Sequence, residues 1–514
     1  MGGGAHTATT ASTVDGVLRR TAARVPDRVA LRFGDREWSY GELDLAVSRT
    51  AAWLLGLGLE HGDRVAAYGY NSDAYLLAFL GCARAGLVHV PVNYRLTGDE
   101  LAHPLAHSGS AVVLTDPRLA GRVEDIRSRI PAREVLGLRG AEESVLEIAR
   151  DPRAPDQVGT AVADTDLVQL LYTSGTTALP KGAMMSHRAL VHEYVSCVQA
   201  LDITAEDRPL HALPLYHAAQ LHVFLMPALA VGAENALVEV PEPGELLHRI
   251  QADGITSFFA APTVWLSMAD HPDFATRDLS GLRKAYYGAA IMPVPVLERI
   301  ARRYPRLAFY NCFGQSEIGP LATVLRPEEH VPGRMDACGR PVLFVEARLV
   351  DRDGADVPPG EAGEIVYRSP QLCDGYWDDP EGTAAAFRDG WFHSGDLARR
   401  DAEGYLTVVD RLKDVINTGG VLVASREVED VLHLHPAVAE AAVVAMPDPV
   451  WGEAVTAVVA LRRPATEAEL IGFARERLAG FKVPKRVHVT GELPRNASGK
   501  LLKRVLREEL TAFR

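Results

Sequence analysis

Residues 64–68, 73–85, 88–91, 97–107 and 111–115 alternate short apolar runs with longer, helix-length ones. That rhythm predicts parallel pairing, because parallel neighbours cannot be joined by a tight turn and need a crossover. Before it, the pattern predicts a helix over 14–24, a hairpin of 29–33 and 37–40 around a Gly-Asp turn, and a helix from Tyr40 to residue 57. After it come a helix over 186–201 and strands over 257–263, 284–287 and 307–310, with 311–317 as the turn after the last. The C-terminal stretch adds strands at 443–445 and 455–461 and a helix at 467–478, a βαβ-like rhythm sufficient for a small domain. A chain of 514 residues exceeds one hydrophobic core, so at least two domains are expected, in an α/β fold of layered parallel sheets and helices. No internal repeat or long low-complexity segment is present.

The formal net charge of −13 argues against nucleic-acid or anionic-membrane partners as a general property of the surface. The five cysteines (Cys82, Cys197, Cys312, Cys338, Cys373) are odd in number, widely spaced and lack a C-x-x-C pair, which fits reduced thiols in the cytoplasm. Met1-Gly2-Gly3-Gly4-Ala5-His6-Thr7 has no basic region or apolar core of a signal peptide, and His6 stands where myristoylation wants Ser or Thr. Residues 1–12 are expected to be unstructured, and no run is apolar and long enough for a membrane helix. Asn496-Ala497-Ser498 matches a glycosylation sequon, which is idle in a cytoplasmic protein. Gly56-Leu57-Gly58 is followed by its third glycine at Gly62, one place too late for a dinucleotide fingerprint. His211, His217 and His222 lack helical spacing and a nearby acidic or thiol partner, so zinc is not expected.

Tyr172-Thr173-Ser174-Gly175-Thr176-Thr177-Ala178-Leu179-Pro180-Lys181-Gly182 follows the mostly apolar run 167–171. Small residues let backbone N–H groups approach phosphate oxygens, hydroxyls add donors, and a lysine adds a point charge. It is not a Walker A loop, because Gly182 follows Lys181 where Ser or Thr is required. A flexible surface linker has the same composition, so this stretch alone leaves both readings open.

The stretch resembles the phosphate loop Y-T-S-G-T-T-G-x-P-K-G of the adenylate-forming superfamily, which includes acyl- and aryl-CoA synthetases, peptide-synthetase adenylation domains and beetle luciferases. Ala178 stands where that family has glycine. Further landmarks follow in the family's order: Gly86-Leu87-Val88-His89-Val90-Pro91-Val92-Asn93, Pro214-Leu215-Tyr216-His217, Gly288-Ala289-Ala290, and Phe313-Gly314-Gln315-Ser316-Glu317 for Y-G-x-T-E. Gly375-Tyr376-Trp377, His393-Ser394-Gly395-Asp396, Asp410-Arg411-Leu412-Lys413-Asp414 and Pro494-Arg495-Asn496-Ala497-Ser498-Gly499-Lys500 continue it.

The resemblance covers nearly the whole chain and implies an N-terminal AMP-binding domain, 1–412, and a small mobile α+β domain, 413–514, turning about Lys413. It implies that Thr173, Ser174, Gly175, Thr176, Thr177 and Lys181 hold phosphates. Gly288, Ala289 and Ala290 would lie along the adenine, with Asn311, Phe313, Gly314, Gln315 and Ser316 bordering the nucleotide. Glu317 would hold Mg²⁺, Asp396 both ribose hydroxyls, and Arg411 the ribose or phosphates; Lys500 would insert beside the carboxylate and α-phosphate. His217, Gln220, Tyr287 and Cys312 would border the acyl pocket, and Gly419, Gly420 and Trp451 the CoA side. Their polarity favours an aryl or short polar acid. His393-Ser394-Gly395-Asp396 is not a catalytic triad, since neighbours in sequence imply no nucleophile geometry.

The expected activity is thus ATP-dependent acid–CoA ligation with ATP, Mg²⁺ and CoA, in a monomer or homodimer. One departure bears on the acceptor. Family synthetases read G-G-x-N-[IV]-x-P-x-E-V-E after the hinge, whereas this chain has Gly419-Gly420-Val421-Leu422-Val423-Ala424-Ser425-Arg426-Glu427-Val428-Glu429. A non-CoA acceptor (an amine or a carrier protein), activation of an inorganic oxyanion such as nitrite, and a non-catalytic nucleotide-binding relative are the alternatives.

Overall fold

The computed structural model describes residues 12–173, 179–290, 292–495 and 501–512. Of the segment expected to be unstructured, only residue 12 falls inside the described residues. The chain divides into two compact units, Met1–Glu346 with Arg368–Phe392, and Ala347–Tyr367 with His393–Arg514.

The first unit holds two sheets. One has six strands in the order Glu134–Gly137, Val112–Thr115, Arg64–Tyr68, Val88–Val92, Leu167–Thr173, Lys181–Ser186. Its first five strands are mutually parallel and the last is antiparallel. The other has nine strands, parallel from Val29–Phe33 through Asn235–Leu237, Pro209–His211, Ser257–Ala260 and Lys284–Gly288 to Ala308–Phe313. Antiparallel strands close both its edges. Parallel strands covered on both faces should read as continuous apolar runs, and Val88–Val92 is buried throughout. The helix Asp73–Ala85 is likewise buried along its whole length, as a helix apolar on all sides must be.

The expected helix over 14–24 is Val14–Arg24, capped by the Thr13 side chain. The one opening at Tyr40 is Tyr40–Gly56, held by a capping box between Ser39 and Glu42. Two expectations need correction. The strand expected over 257–263 ends at Ala260, and Pro262 opens the helix Pro262–Asp270. Proline at a helix start has the required φ and lacks only an N–H that has no helical partner there. The strand expected over 307–310 runs as Ala308–Phe313. Cys312 pairs with Gly288 on one side and Val324 on the other, so ladders on both edges carry the strand three residues further. The turn therefore starts at Gly314, where an added Cβ would sit 1.9 Å from the Pro320 carbonyl oxygen.

Most of Glu346–Val350, Ala362–Arg368 and Trp391–Arg400, and all of Leu406–Arg411, lie in the second unit as neighbours in one sheet. A further sheet joins Val421–Val423, Ile416–Thr418, Gly452–Leu461, Val438–Asp448 and Arg486–Thr490. The strands expected at 443–445 and 455–461 are the middles of a long antiparallel pair. Gly452–Leu461, the helix Glu467–Arg475 and the parallel strand Arg486–Thr490 supply the expected βαβ rhythm. Among the described residues no helix is long and apolar enough to cross a membrane.

Candidate active site

The strands Leu167–Thr173 and Lys181–Ser186 form an antiparallel pair, with Tyr172 opposite Gly182 and Thr173 opposite Lys181. Ser174, Gly175, Thr176, Thr177 and Ala178, between them, lie outside the described residues. A Cβ on Gly182 would press against the Tyr172 ring at 3.3 Å, a tight contact. Both limbs are tied to one face of the helix Gly98–His107. His107 Nδ1 lies 2.8 Å from the Tyr172 hydroxyl, and His103 Nε2 lies 2.9 Å from the Pro180 carbonyl oxygen. A carbonyl only accepts, so His103 Nε2 carries the proton. Burial and the neighbouring His103 hold the His107 imidazole below its usual range. The sequence contained one signal for this pair, two histidines four apart on a helix, which face the same way.

Lys181 Nζ is 2.7 Å from Asp379 Oδ2 and lies 5.1 Å from the centroid of the Tyr376 ring. The lysine holds the Asp379 carboxyl below the usual range, mainly through their hydrogen bond. This pair is partly exposed, so it is only weakly held together.

Glu317 is buried on the turn Ser316–Ile318. Its Oε1 accepts from the Tyr376 hydroxyl at 3.1 Å and the Thr173 hydroxyl at 3.4 Å. Burial, then the adjacent carboxylate, pushes the Tyr376 hydroxyl pKa up, which keeps it a donor. Mg²⁺ demands hard oxygen donors and commonly takes one or two carboxylates beside substrate phosphates and water. A carboxylate next to a hydroxyl meets that demand.

Gly288, Ala289 and Ala290 end the strand Lys284–Gly288. A Cβ on Gly288 would stand 2.2 Å from the Cys312 carbonyl oxygen, so only glycine fits. Ala289 adopts φ +63°, a left-handed conformation costly for alanine, and both alanines are exposed. Asn311, Phe313, Gly314, Gln315 and Ser316 are half-buried, and the Asn311 amide donates to the Ala337 carbonyl at 2.9 Å.

The acyl-pocket candidates divide. His217 is half-buried, and desolvation with help from the Arg95 cation pulls its imidazole down to about 4, so it is neutral at pH 7. Gln220 is fully buried, with Oε1 accepting from Leu213 N–H at 3.0 Å and Nε2 2.8 Å from His211 Nδ1. Its polar atoms are thus committed inside the protein. The Tyr287 hydroxyl lies 2.9 Å from His330 Nε2, and burial lifts the Cys312 thiol far above its ordinary range.

In the second unit, Arg411 Nε sits 2.6 Å from Asp396 Oδ1, with Asp396 almost fully buried. His393 Nδ1 is 2.8 Å from Glu364, and the Ser394 hydroxyl donates to the Ile365 carbonyl at 2.6 Å. Serine and histidine thus have separate partners. Lys413 is exposed on the turn Leu412–Asp414. Gly419 and Gly420 take φ +61° and +84° in the tight turn between Ile416–Thr418 and Val421–Val423, and Gly419 N–H donates to the Trp451 carbonyl at 2.7 Å. Trp451 is exposed, with the Lys485 ammonium 4.8 Å from its ring centroid. Lys500 lies outside the described residues. Sequence reasoning missed the roles of Tyr376, Asp379, His103 and His107, and the contact of Asp410 with Ser425, because each depends on long-range pairing.

The model of the AMP-binding enzyme family matches residues 18–377, and that of the AMP-binding enzyme C-terminal domain matches 427–500. A feruloyl-CoA synthase from an Amycolatopsis species is 40% identical over 493 residues, spanning 94% of this chain and 96% of that protein. The indoleacetate–CoA ligase of Aromatoleum aromaticum is 34% identical over 501 residues, 96% of this chain and 97% of the relative. ATP-bound MatB from Rhodopseudomonas palustris superposes with a TM-score of 0.88 at 30% identity, covering 98% of this chain and 100% of that one. The chain belongs to the adenylate-forming superfamily of AMP-binding enzymes, and it is an AMP-forming ligase.

Proposed function

We propose that the protein is an ATP-dependent carboxylic acid–CoA ligase working in two half-reactions. In the first, a carboxylate oxygen of the acid attacks the α-phosphorus of ATP. The new P–O bond forms as the bond to the β-phosphate bridge breaks, and pyrophosphate leaves. In the second, the CoA thiolate attacks the acyl carbon, a C–S bond forms and AMP departs with the electron pair.

The observation that carries this reading is the meeting of Thr173 with Glu317. The last described residue of the phosphate-loop strand shares an oxygen of a carboxylate 144 residues away, with Tyr376 holding the same atom. Lys181 and the loop hydroxyls neutralise and orient phosphates, and positioning of this kind supplies much of the catalysis in phosphoryl chemistry. Mg²⁺, when bound, adds positive charge against the phosphates, and Glu317 is the carboxylate that would hold it. Asp396 accepts from the ribose hydroxyls, with Arg411 keeping its carboxylate oriented. His217, neutral at pH 7, forms part of the acyl wall.

We place the domain boundary at Lys413, with the C-terminal domain turning there to withdraw Lys500 and admit the thiol. The acid is an aryl or short polar one. The feruloyl and indoleacetate named in the two relatives agree with it, as does the half-buried polar side chain of His217. Lys500→Ala tests the assignment: adenylation should be abolished, while thioester formation from a supplied acyl-adenylate continues. Equal loss of both would contradict it.

One observation favours a second reading, a ligase with an amine or carrier protein as acceptor. The loop after the hinge, which lies by the thiol channel in CoA-using relatives, carries Ser425 in place of proline, and its hydroxyl and N–H are engaged with Asp410. Turnover with ATP and acid but without CoA would select it.

A further inference from the structure

Glu193, in the middle of the helix His187–Ala200, has no exposed surface and makes no ion pair among the described residues. A buried carboxyl group with no cation beside it is expensive unless it is hydrogen-bonded. Here one donor comes from the turn that follows Glu317 and another from Gln371. Leu321 N–H donates to Glu193 Oε1 at 2.9 Å, and the Gln371 amide donates to Oε2. The Cys197 thiol adds a weaker contact at 3.3 Å.

Gln371 completes a bridge. The Ser196 hydroxyl donates to its Oε1 at 2.6 Å, which fixes the amide so that Nε2 faces Glu193. That same Nε2 reaches the carbonyls of Ile318 and Leu321 at 3.3 and 3.2 Å. Two residues on, Cys373 N–H donates to the Glu317 carbonyl at 2.8 Å. Gly319, at φ +105°, lies so close that a Cβ would be 2.8 Å from Glu193 Oε2. The backbone around Glu317 is thus held by Glu193 and Gln371, while its side chain accepts from Thr173 and Tyr376.

We propose that Glu193 is a positioning residue for the metal-facing carboxylate: acting with Gln371, it fixes the 316–321 turn so that Glu317 is aimed before nucleotide arrives. The proposal rests on the reading of Glu317 as the carboxylate toward Mg²⁺. Groups that orient a ligand typically contribute 10- to 100-fold to metal affinity, roughly, without touching the metal.

Calorimetric titration of the full chain with Mg·ATP, and with ATP in EDTA, separates this from a merely structural role. Glu193→Ala should weaken Mg·ATP by about tenfold or more while metal-free ATP stays within about threefold. Glu193→Gln, which keeps an acceptor for Leu321 N–H, should stay within about threefold in both titrations. An unchanged metal-dependent gain in Glu193→Ala, or equal losses with and without metal, would overturn the proposal. If Glu193→Ala does not fold, Gln371→Ala removes the same bridge and is held to the same two outcomes. A wild-type protein whose ATP affinity shows no gain from Mg²⁺ would refute the Glu317 reading itself, and the proposal with it.

Discussion

Asp410 and Ser425 meet across the residues assigned to the hinge: the Ser425 N–H and hydroxyl both donate to Asp410 Oδ2, at 2.6 and 2.7 Å. Ser425 opens the helix Ser425–His433, whose own N-cap, Ala424, offers no side-chain acceptor. Asp410 fills that role from the strand before the hinge, where a carboxylate also suits the positive end of the helix. Lys503 Nζ donates to Ser425 Oγ at 2.6 Å and pairs with Glu429 at 2.7 Å. The family's proline has neither N–H nor hydroxyl, so the departure has a physical content: it adds a polar joint.

Ser425→Ala leaves the buried Asp410 oxygen one donor short and Lys503 one acceptor short. It should destabilise the protein by about 1–3 kcal/mol in urea unfolding, the usual cost of an unsatisfied buried group. Ser425→Pro, which removes the N–H as well, should cost more. Equal stability of wild type and Ser425→Ala would show that the joint is not holding anything.

His103→Ala should raise the KM for ATP about fivefold, the equivalent of one hydrogen bond to the loop, with the rate of thioester formation from supplied adenylate unchanged. Gln can present its amide N–H to the Pro180 carbonyl, so His103→Gln should recover most of the loss. Steady-state kinetics in the two half-reactions would reveal a general folding defect as equal losses in both.

Ala289→Gly should stabilise the fold by about 1 kcal/mol, because φ +63° is strained for alanine and free for glycine. Thermal unfolding measures it. A lower midpoint would mean that the strain is absent or that the added chain entropy of glycine outweighs it.

Burial lifts the Glu193 carboxyl to about 8, so the native state keeps its proton where the unfolded chain has released it. The groups that face it, Cys197 and Tyr194 on its own helix, Cys312 and the Gln371 amide, supply no positive charge. Stability from this group is therefore full below the ordinary glutamate range, falls as pH rises from there towards about 8, and is flat beyond. Glu193→Gln removes that slope. The difference in melting temperature between variant and wild type should grow in the variant's favour from pH 5 to pH 8, and a pH-independent difference would contradict the assignment.

Helices and parallel strands were legible because their signals are local, apolar runs of helix or strand length; Pro262, which opens a helix, was read inside the strand expected over 257–263. The strand Ala308–Phe313 was under-read because its last residues are polar or aromatic and are held by pairing with strands on both sides. The site's motif residues were named from resemblance, but their partners were not. Glu193 with Leu321 and Gln371, or Lys181 with Asp379, join positions that no spacing relates. Gln220 was placed beside the acyl pocket as a polar side chain near His217, yet its amide is used inside the protein by His211 and Leu213.

The proposed reaction makes an acyl-adenylate and passes the acyl group to CoA. Pyrophosphate release across a panel of aryl, short polar and long aliphatic acids, each with and without CoA, tests it directly. Multi-turnover release is expected only when CoA is present, fastest with an aryl or short polar acid. Sustained release without CoA would contradict the thiol acceptor, and no release with any acid would contradict adenylation itself.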